Sequence, residues 1–287
     1  MNCNICPRNC NVERKTNAGF CGQSEKVKVS KVMFHKYEEP LISGGENSKG
    51  SGAIFFAGCN LKCCFCQNYP ISHNNKGKTI STKKLASIMK KLEKKGAHNI
   101  NLVTPSHFLN QIIEALKIYK PHIPIVWNSN GYESVETIKK LKDYVDVYLV
   151  DLKYMNNELA LKYSKANNYV ENATASIKQM KANQPKDIIE NGLMKKGLII
   201  RHLVLPTHTN DSIKCLDFVA NEIGTDSIVS IMSQYEPRYD ASNHQEINRK
   251  ITPLEYKRVV NHAIKLNMTN CFTQDLTSAD SKYTPKF

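Results

Sequence analysis

The sequence predicts an α/β fold in which a short cysteine-rich segment precedes a partial (βα)6 barrel of the TIM type. Six short apolar segments alternate along the chain with helical stretches, and unusually polar residues follow those segments. Size agrees with this fold, because 287 residues with 41% hydrophobic content suffice for one large α/β domain or two small ones. Alternating strands and helices imply a parallel sheet covered by helices.

The predicted elements follow one another regularly. The strand candidates read "AIFFA", "INLVT", "IPIVWN", "VDVYLVDLK", "LIIRHLVLP" and "SIVSIMS". The helical stretches lie near residues 82–95, 107–119, 134–143, 156–183, 211–222 and 253–266. The first of these is amphipathic, with Leu85, Ile88, Met89 and Leu92 on one face. In such a barrel the chemistry lies at the carboxyl ends of the strands, so these ends hold the candidate site residues.

The chain divides into two regions. Residues 1–50 form the cysteine-rich, turn-rich segment, which ends in the flexible stretch "SGGENSKGSG" before the first clear strand. Residues 51–287 form the barrel core with its C-terminal helices. The first residues, "MNCNICPRNC", lack the features of a signal peptide, and no apolar run approaches the roughly 18 to 20 residues of a membrane span. We therefore expect a cytoplasmic protein with no membrane partner.

We interpret the formal charge of +14 as a bias in overall composition and not as a basic binding patch. Lysine greatly outnumbers arginine, and runs such as "KKLEKKG" lie on the polar side of an amphipathic helix. We interpret such runs as solvated faces. Attraction to an acidic protein or to nucleic acid is the alternative, because a net positive field favours either.

The ten cysteines indicate metal binding or catalysis, because a reducing compartment keeps thiols from forming disulfides. They fall into two groups, and three of them lie outside both. The first group is Cys3, Cys6 and Cys10 with Cys21 as a fourth candidate ligand, the second is Cys59, Cys63 and Cys66, and the others are Cys64, Cys215 and Cys271. We expect these last three to be buried small hydrophobic residues.

The second group has the spacing of an iron-sulfur site. Three thiolates on a short loop can each reach a different iron of one 4Fe-4S cubane, and soft thiolates select such clusters or zinc over hard cations. A structural zinc site normally closes with four protein ligands, whereas three leave one metal position open to a small molecule. Cys64 is a candidate fourth ligand, although adjacent residues in a loop tend to point apart.

The stretch "CNLKCCFC" resembles the CxxxCxΦC signature of the radical S-adenosylmethionine (SAM) enzymes, with Phe65 in the aromatic position. The resemblance is closest to the relatives of pyruvate formate-lyase activating enzyme often called the PflX group. The similar stretches cover nearly the whole chain in order: "CPRNC", "YEEP", "FFAGCNLKCCFCQNY", "VTPSHFLNQIIEAL", "PIVWNSNGYE", "YLVDLKY", "GLIIRHLVLP" and "IMSQY". The resemblance implies a barrel of the radical SAM kind.

The resemblance also implies the reaction. The protein would be an oxidoreductase that works under anaerobic conditions. Cys59, Cys63 and Cys66 would hold three irons of a 4Fe-4S cluster, and the fourth iron would bind the amino and carboxylate groups of S-adenosyl-L-methionine. An electron from the reduced cluster would cleave SAM to methionine and a 5′-deoxyadenosyl radical, which abstracts hydrogen from a substrate. The cofactor carries the difficult chemistry, and the protein positions it and excludes water.

A protein or peptide is the expected substrate, because the chain resembles activases of glycyl radical enzymes and a barrel of six short units leaves a wide lateral opening. A small molecule or an RNA is the alternative, and RNA binding would weaken steeply with salt. The resemblance implies a reductase, a flavodoxin or a ferredoxin as electron donor. From another class, a non-catalytic zinc-binding module with a basic nucleic-acid-binding surface also fits the composition, and metal analysis would distinguish it.

Three residues in later strands are expected to contact SAM. Asp151 and Lys153 flank one residue at a strand end, so their side chains point to the same face. A similar "DLK" contacts SAM in the activating enzymes, and an internal salt bridge is the alternative. Arg201 lies in an apolar strand and requires an anion, which the resemblance suggests is the methionine carboxylate. His202 is expected to face the opposite way as a core histidine.

The turn "NSNG" is the next candidate. Asn128, Ser129 and Asn130 resemble the "TNG" turn of the activating enzymes near the ribose, and Gly131 allows a tight turn. An ordinary polar turn is the alternative.

One segment departs from the family pattern. Many members carry "GGE" after the second strand, which takes the methionine amino group, whereas this chain has "TPSH" there. Thr104, Ser106 and His107 would then supply the amino-group contacts. A literal "GGE" at residues 44–46 precedes the cysteine loop, and we interpret it as a glycine-rich turn.

The first group of cysteines offers a second metal site. Cys3, Cys6, Cys10 and Cys21 would form a closed four-thiolate site for zinc or a second iron-sulfur cluster. A structural role, fastening a segment too small for its own core, is the simplest interpretation. Electron relay, substrate docking and the absence of any stable metal are the alternatives.

Overall fold

The structure, a computed structural model, describes residues 3–45 and 47–276. The strands are β1 (Lys28–His35), β2 (Ser51–Phe56), β3 (Lys78–Thr79), β4 (Ile100–Val103), β5 (Ile125–Ser129), β6 (Val147–Asp151), β7 (Ile188–Glu190), β8 (Leu193–Leu203), β9 (Ile228–Met232) and β10 (Cys271–Thr273). The helices are α1 (Pro40–Ser43), α2 (Tyr69–Ser72), α3 (Thr82–Lys94), α4 (Leu109–Ile118), α5 (Val135–Lys140), α6 (Asn157–Ser164), α7 (Tyr169–Asn183), α8 (Thr209–Phe218) and α9 (Pro253–Lys265).

The strands form one sheet in the order β10-β9-β8-β6-β5-β4-β2-β1-β3, and β7 pairs with β8. The strands from β2 to β10 on this path pair in parallel, whereas β1, β3 and β7 pair antiparallel to their neighbours. Helices connect the successive parallel strands, as right-handed βα units require. The predicted α/β fold with a mostly parallel sheet is confirmed.

The two faces of the sheet bury different clusters. Trp127 and Tyr148 belong to the large cluster that includes apolar residues of the helices, whereas their chain neighbours Val126 and Leu149 pack around Ile42 of α1. Successive strand residues point to opposite faces, so the first cluster marks the outer face and the second the barrel interior.

Residues 37–43 close the interior at the amino ends of the parallel strands. Because β1 is antiparallel to β2, its last residue, His35, lies opposite Ser51, where β2 begins. The chain then turns inward, and the carbonyl of the fully buried Ile42 accepts a hydrogen bond from Asn99 Nδ2 at 2.8 Å. The same segment thus forms the floor of the space that opens at the carboxyl ends.

Strand β1 corrects the expectation that regular structure begins after residue 50. Its sequence, "KVSKVMFH", mixes lysines with apolar residues, and only some of its positions are buried. A strand near the edge of a sheet needs one covered face only, so its pattern is less apolar than that of the central strands. The boundary predicted at residue 50 therefore divides an antiparallel pair.

Two further differences concern the chain between residues 156 and 203. The predicted single helix is divided into α6 and α7, because Lys165 and Asn168 adopt left-handed backbone angles with φ of 55° and 50°. Asn191 and Gly192, at φ of 52° and 74°, form the tight turn of the β7–β8 hairpin. An Asn-Gly pair between apolar residues is a strong hairpin signal that the sequence analysis missed.

In the part of the chain that the structure describes, the helices are too short or too polar to cross a membrane.

Candidate active site

A cleft of about 230 Å³ opens at the carboxyl ends of the parallel strands. Most of the predicted site residues line it, although they come from separate strands and loops. These are Cys63, Cys66, Thr104, Asn128, Ser129, Asn130, Asp151, Lys153 and Arg201. The position is the one expected for chemistry in a parallel αβ barrel.

The cysteine loop after β2 is held from two sides. The backbone N–H groups of Lys62 and Cys64 donate to the carbonyls of Ser164 and Tyr163 at 3.0 and 2.8 Å. Asn60 Nδ2 donates to the carbonyl of Tyr132 at 2.6 Å. These bonds fix the loop between the β5 turn and α6, so its sulfurs have defined directions.

Each sulfur of the predicted cluster site has a hydrogen-bonding neighbour. Cys59 Sγ accepts from the N–H of Leu61 at 3.4 Å and from Asn130 Nδ2 at 3.3 Å. Ser164 Oγ donates to Cys63 Sγ at 3.1 Å, and Ser72 Oγ lies 3.2 Å from Cys66 Sγ. Such contacts favour thiolate and tune a bound cluster.

Burial opposes ionisation of the same sulfurs in the free protein. It raises the pKa of Cys59 to about 12 and that of Cys66 to about 11, and it raises the pKa of Cys63 as well. A soft metal deprotonates such thiols when it binds, because the thiolate is the ligand. A metal bound by this loop would therefore displace the protons of these thiols.

Cys64 and Cys59 are both buried in the hydrophobic core, and neither lines the cleft. Cys59 Sγ is connected to the site by its contact with Asn130 Nδ2 at 3.3 Å. Cys215 is buried as predicted, whereas Cys271 in β10 is only partly buried.

Within the described ranges, no three His, Cys, Asp or Glu side chains surround a single ion position. This holds for both cysteine groups. A cubane places its thiolates on different irons, so its ligands are further apart than those of one ion.

Arg201 is the centre of an ionic network in the cleft. Its Nε donates to Asp151 Oδ1 at 2.7 Å, its Nη1 to Glu38 Oε2 at 3.0 Å and its Nη2 to Asn128 Oδ1 at 2.7 Å. Lys153 Nζ donates to Asp151 Oδ2 at 2.7 Å. Asp151 and Glu38 thus supply the anion that a buried Arg201 requires. Asp151 and Lys153 form an internal salt bridge, which was the alternative to their contact with SAM.

The pKa values in this network follow from its charges. Burial alone would raise the pKa of Asp151, but Arg201 and Lys153 outweigh it and the pKa is lowered. The pKa of Lys153 is raised because Asp151 outweighs burial. Glu39 is different, because its burial outweighs nearby Arg201 and raises its pKa. The pKa shifts of Arg201, Lys153 and Asp151 all favour their charged forms, so these three groups are ionised at neutral pH.

The "NSNG" turn joins the two parts of the site. Asn128 bonds to Glu38 and Arg201, whereas Asn130 Nδ2 reaches both Cys59 Sγ and Asn60 Oδ1, the latter at 2.7 Å. Gly131 has φ of 82°, and a Cβ there would lie 2.3 Å from the carbonyl oxygen of Asp151. Only glycine permits this approach of the turn to β6.

The "TPSH" segment enters the cleft only at its first residue. Thr104 lines the cleft with φ of 55°. Ser106 donates instead to buried Glu133, and His107 Nε2 lies 2.8 Å from the carbonyl of Ala57. Burial lowers the pKa of His107 to about 3, so it is neutral. The structure does not bring Ser106 or His107 to the cleft.

His202 is a buried core residue, as predicted. Its Nδ1 lies 2.7 Å from the carbonyl of Leu152, and burial lowers its pKa to about 4. The literal "GGE" ends at Glu46, which lies outside the described residues; Gly44 ends α1 in a turn.

The first cysteine group packs behind the cysteine loop. Cys10 Sγ and Cys21 Sγ both lie beside Gly19, where a Cβ would be 3.4 and 3.8 Å from them. Arg8 Nε donates to the carbonyl of Asn60 at 2.8 Å, and its guanidinium lies 3.7 Å from the centre of the Phe20 ring. The segment is therefore fastened to the loop that carries Cys59, Cys63 and Cys66.

Sequence reasoning missed Glu38 and Ser164 as site residues. Glu38 belongs to "YEEP", where two adjacent carboxylates before a proline signalled a polar function but no place in the fold. Ser164 lies in the long predicted helix, and nothing in its surroundings singles it out.

The fold and the cleft define a class of protein, a parallel αβ barrel whose first loop presents three cysteines beside an ionic pocket. Residues 53–219 match the radical SAM superfamily, and the chain belongs to this superfamily. Membership implies an enzyme with a 4Fe-4S cluster and SAM as its cofactors.

The chain is also similar to individual proteins, to one in sequence and to two in fold. The chain is 36% identical over 280 residues to an uncharacterized protein of Methanocaldococcus jannaschii, covering 93% of this chain and 75% of that protein. It is similar in structure to Streptococcus suis SuiB, with a TM-score of 0.52 and 15% identity over 76% of this chain and 47% of SuiB. It is also similar to HydG, a maturase of the FeFe-hydrogenase, with a TM-score of 0.51 and 13% identity over 75% of this chain and 48% of HydG. The chain spans about half the length of these two structures, with which it shares the fold.

Proposed function

We propose that this protein is a radical SAM oxidoreductase similar to the PflX group and to pyruvate formate-lyase activating enzyme. It reductively cleaves S-adenosyl-L-methionine at a 4Fe-4S cluster and abstracts hydrogen from a protein or peptide. One observation carries the proposal: Cys63 and Cys66 line the same cleft as the ionic network of Asp151, Lys153 and Arg201.

The residues present fit a 4Fe-4S cluster. Cys59, Cys63 and Cys66 are buried or nearly so, and their sulfurs have N–H or O–H groups close by. When bound, the reduced cluster supplies the electron that cleaves SAM to methionine and the 5′-deoxyadenosyl radical. Three ligands leave one iron open, in agreement with the cofactor's amino and carboxylate groups binding there.

The residues of the chain bind and orient SAM. Lys153 uses one of its N–H groups on Asp151, and Arg201 uses three of its five on protein acceptors, so both retain donors for the methionine carboxylate. Asn128, Ser129, Asn130 and Thr104 supply neutral polar groups around the remainder of the cofactor.

The protein also excludes water from the reacting centre. Residues 37–43 close the interior from below, and Phe65 packs edge-on against Tyr235 with their ring centres 5.5 Å apart. Exclusion of water protects a reactive radical from side reactions.

Exposed tyrosines support a protein or peptide as the substrate. Tyr37 lines the cleft and is 61% exposed. Tyr69, three residues after Cys66, stacks on the exposed Tyr239 with ring centres 4.3 Å apart. Exposed tyrosines are typical anchors of protein interfaces.

Two further parts of the proposal concern the surroundings of the reaction. A reductase, flavodoxin or ferredoxin donates the electron, and a reducing, oxygen-poor cytoplasm is the compartment in which a thiolate-bound cluster persists. Cys3, Cys6, Cys10 and Cys21 bind a second soft metal, either zinc or an iron-sulfur cluster, and zinc would require these thiols to move together around one ion. Burial raises the pKa of Cys6 to about 12 and also raises that of Cys21, so these two thiols depend on a metal for their thiolate form.

Electron paramagnetic resonance (EPR) tests the main proposal without knowledge of the substrate. The anaerobically reconstituted, dithionite-reduced protein is measured with and without SAM. We expect a 4Fe-4S signal whose shape changes on addition of SAM, because SAM binds the open iron. An assembled cluster that ignores SAM at millimolar concentration would remove the enzyme proposal.

A further inference from the structure

We infer that Glu38, from the segment that closes the barrel floor, accepts the hydrogen bond of the SAM amino group. The inference rests on the proposed function and deepens it, because it assigns the contact that "TPSH" leaves unsupplied. An amine bound to iron keeps two N–H donors, and in a buried site these require acceptors.

Three described carboxylates line the cleft, namely Glu38, Asp151 and Glu236. Asp151 has a cation on each oxygen, Arg201 on one and Lys153 on the other, both at 2.7 Å. Glu236 is bound by Arg238 and lies 3.4 Å from Lys250. These two carboxylates are therefore already compensated by cations on both oxygens.

Glu38 is bonded differently. Its Oε1 accepts from two neutral amides, Asn101 Nδ2 at 3.2 Å and Asn128 Nδ2 at 3.1 Å. Its Oε2 accepts from Arg201 Nη1 at 3.0 Å, a cation shared with Asp151. An ionised carboxylate accepts about four hydrogen bonds, so Glu38 retains acceptor capacity and the least compensated charge of the three.

Glu38 is also held rigidly at the cleft surface. Its side chain is 10% exposed, which is enough for contact with a ligand in the cleft. Its backbone N–H donates to Ser43 Oγ at 3.0 Å, and Ser43 is fully buried in α1. A binding group locked by its supporting contacts loses little entropy when the ligand arrives.

The charges around Glu38 match an amino-acid head group. Glu38 is an acceptor of N–H bonds, and the adjacent Arg201 uses three of its five N–H groups on Asp151, Glu38 and Asn128, which leaves two for a ligand. An α-amino acid presents amino and carboxylate groups side by side. The adjacent carboxylate and guanidinium therefore complement both groups of the methionine part of SAM.

The alternatives in the "TPSH" segment are weaker acceptors or are placed elsewhere. Ser106 donates to Glu133, and His107 is engaged with the carbonyl of Ala57. Thr104 reaches the cleft but carries only a neutral hydroxyl. A hydrogen bond to a charged acceptor is roughly twice as strong as one between neutral groups.

The experiment compares SAM with its desamino analogue, in which hydrogen replaces the amino group. Affinities of both ligands for the cluster-loaded protein are measured by equilibrium dialysis for wild type, Glu38→Gln and Glu39→Gln. Glu39 is the matched control, because it is the neighbouring buried carboxylate, 3.9 Å from Arg201, and does not line the cleft. Iron and sulfide content and the EPR signal without SAM verify assembly of each variant.

We expect Glu38→Gln to weaken SAM about 10- to 100-fold while the affinity for the desamino analogue changes little. The preference for SAM over the analogue therefore shrinks. Glu39→Gln keeps the wild-type preference. A purely structural effect of Glu38 through Arg201 would weaken both ligands alike, so the ratio separates the two roles.

An unchanged ratio in Glu38→Gln, or an equal reduction in Glu39→Gln, overturns the inference and leaves the proposed function intact. If wild type binds neither ligand, the proposed function fails together with the inference. If Glu38→Gln does not assemble the cluster, Glu38→Asp decides, because it keeps the charge beside Arg201 and withdraws the carboxylate from the cleft. A wild-type ratio in Glu38→Asp then counts against the inference.

Discussion

The cysteine loop and the ionic floor, by which we mean the network of Arg201, Asp151, Lys153 and Glu38, line one cleft, yet they are stabilised in opposite ways. The floor is complete by itself, because Arg201 and Lys153 neutralise Asp151 and Glu38 at distances of 2.7 to 3.0 Å. The loop offers its sulfurs only neutral hydrogen-bonding neighbours, and burial raises their pKa values. The loop thus depends on a soft cation for its thiolate form, whereas the floor is organised before any ligand binds.

This difference separates two kinds of residue at one site. Floor residues should matter for the stability of the fold as well as for binding. Loop residues should matter for the cluster, with little effect on the fold.

The largest expected effect distinguishes two adjacent cysteines. Cys63→Ala should abolish the cluster, because it removes one of three iron ligands, whereas Cys64→Ala should leave iron and sulfide content nearly unchanged. Iron, acid-labile sulfide and the reduced EPR signal measure both variants. Equal loss in the two would refute the loop assignment.

The next effect concerns the stability of the floor. Arg201→Met leaves two buried carboxylates short of a counter-charge and should lower the free energy of unfolding by about 3–5 kcal/mol at pH 7. Arg249→Met is the control, because Arg249 is 42% exposed in its pair with Glu255 and such pairs contribute about 1 kcal/mol or less. Urea unfolding followed by circular dichroism measures both.

The same variant has a predicted pH dependence. The folded pKa of Asp151 lies below its unfolded value of about 3.9, so its contribution is present above that pH and is lost as pH falls through the folded pKa. The difference between wild type and Arg201→Met should therefore shrink below about pH 3.9. A difference that stays constant to pH 3 would contradict an ionic origin.

A smaller effect tests whether the first cysteine group is a separate site. Cys10→Ser should lower the metal content by the share of the second site, while the loop cluster keeps its EPR response to SAM. Elemental analysis identifies zinc or iron as the metal lost. Unchanged metal content would show that these thiols hold no stable metal.

The smallest effect concerns one hydrogen bond to sulfur. Ser164→Ala removes the O–H donor of Cys63 Sγ, and a bond of about 1 kcal/mol corresponds to about 40 mV for one electron. The reduction potential should become more negative, because the bond favours the reduced, more negatively charged cluster. Ser212→Ala, whose hydroxyl contacts the carbonyl of His208, should leave the potential unchanged. Redox titration monitored by EPR measures both.

The sequence alone determined the parallel part of the fold and the elements that carry the site. Central strands such as β5 and β6 are buried on both faces, so their continuous apolar runs identify them as strands from the sequence alone. Cysteine spacing is equally local, because the candidate cluster ligands lie within one short loop. The residues that close each strand were found because parallel strands bring their carboxyl ends together.

Only the tertiary structure decided how the charges at those ends are used. The sequence predicted that Arg201 binds an external anion, the methionine carboxylate. In the structure Glu38, 163 residues away in the chain, accepts a hydrogen bond from it. Glu38 reaches the cleft because β1 runs antiparallel along the sheet and delivers "YEEP" into the barrel from below. The resemblance predicted the amino-group contact at "TPSH", yet Ser106 and His107 turn into the core. Spacing along the chain fixes which residues share a loop, whereas contacts between distant segments depend on packing that only the folded chain specifies.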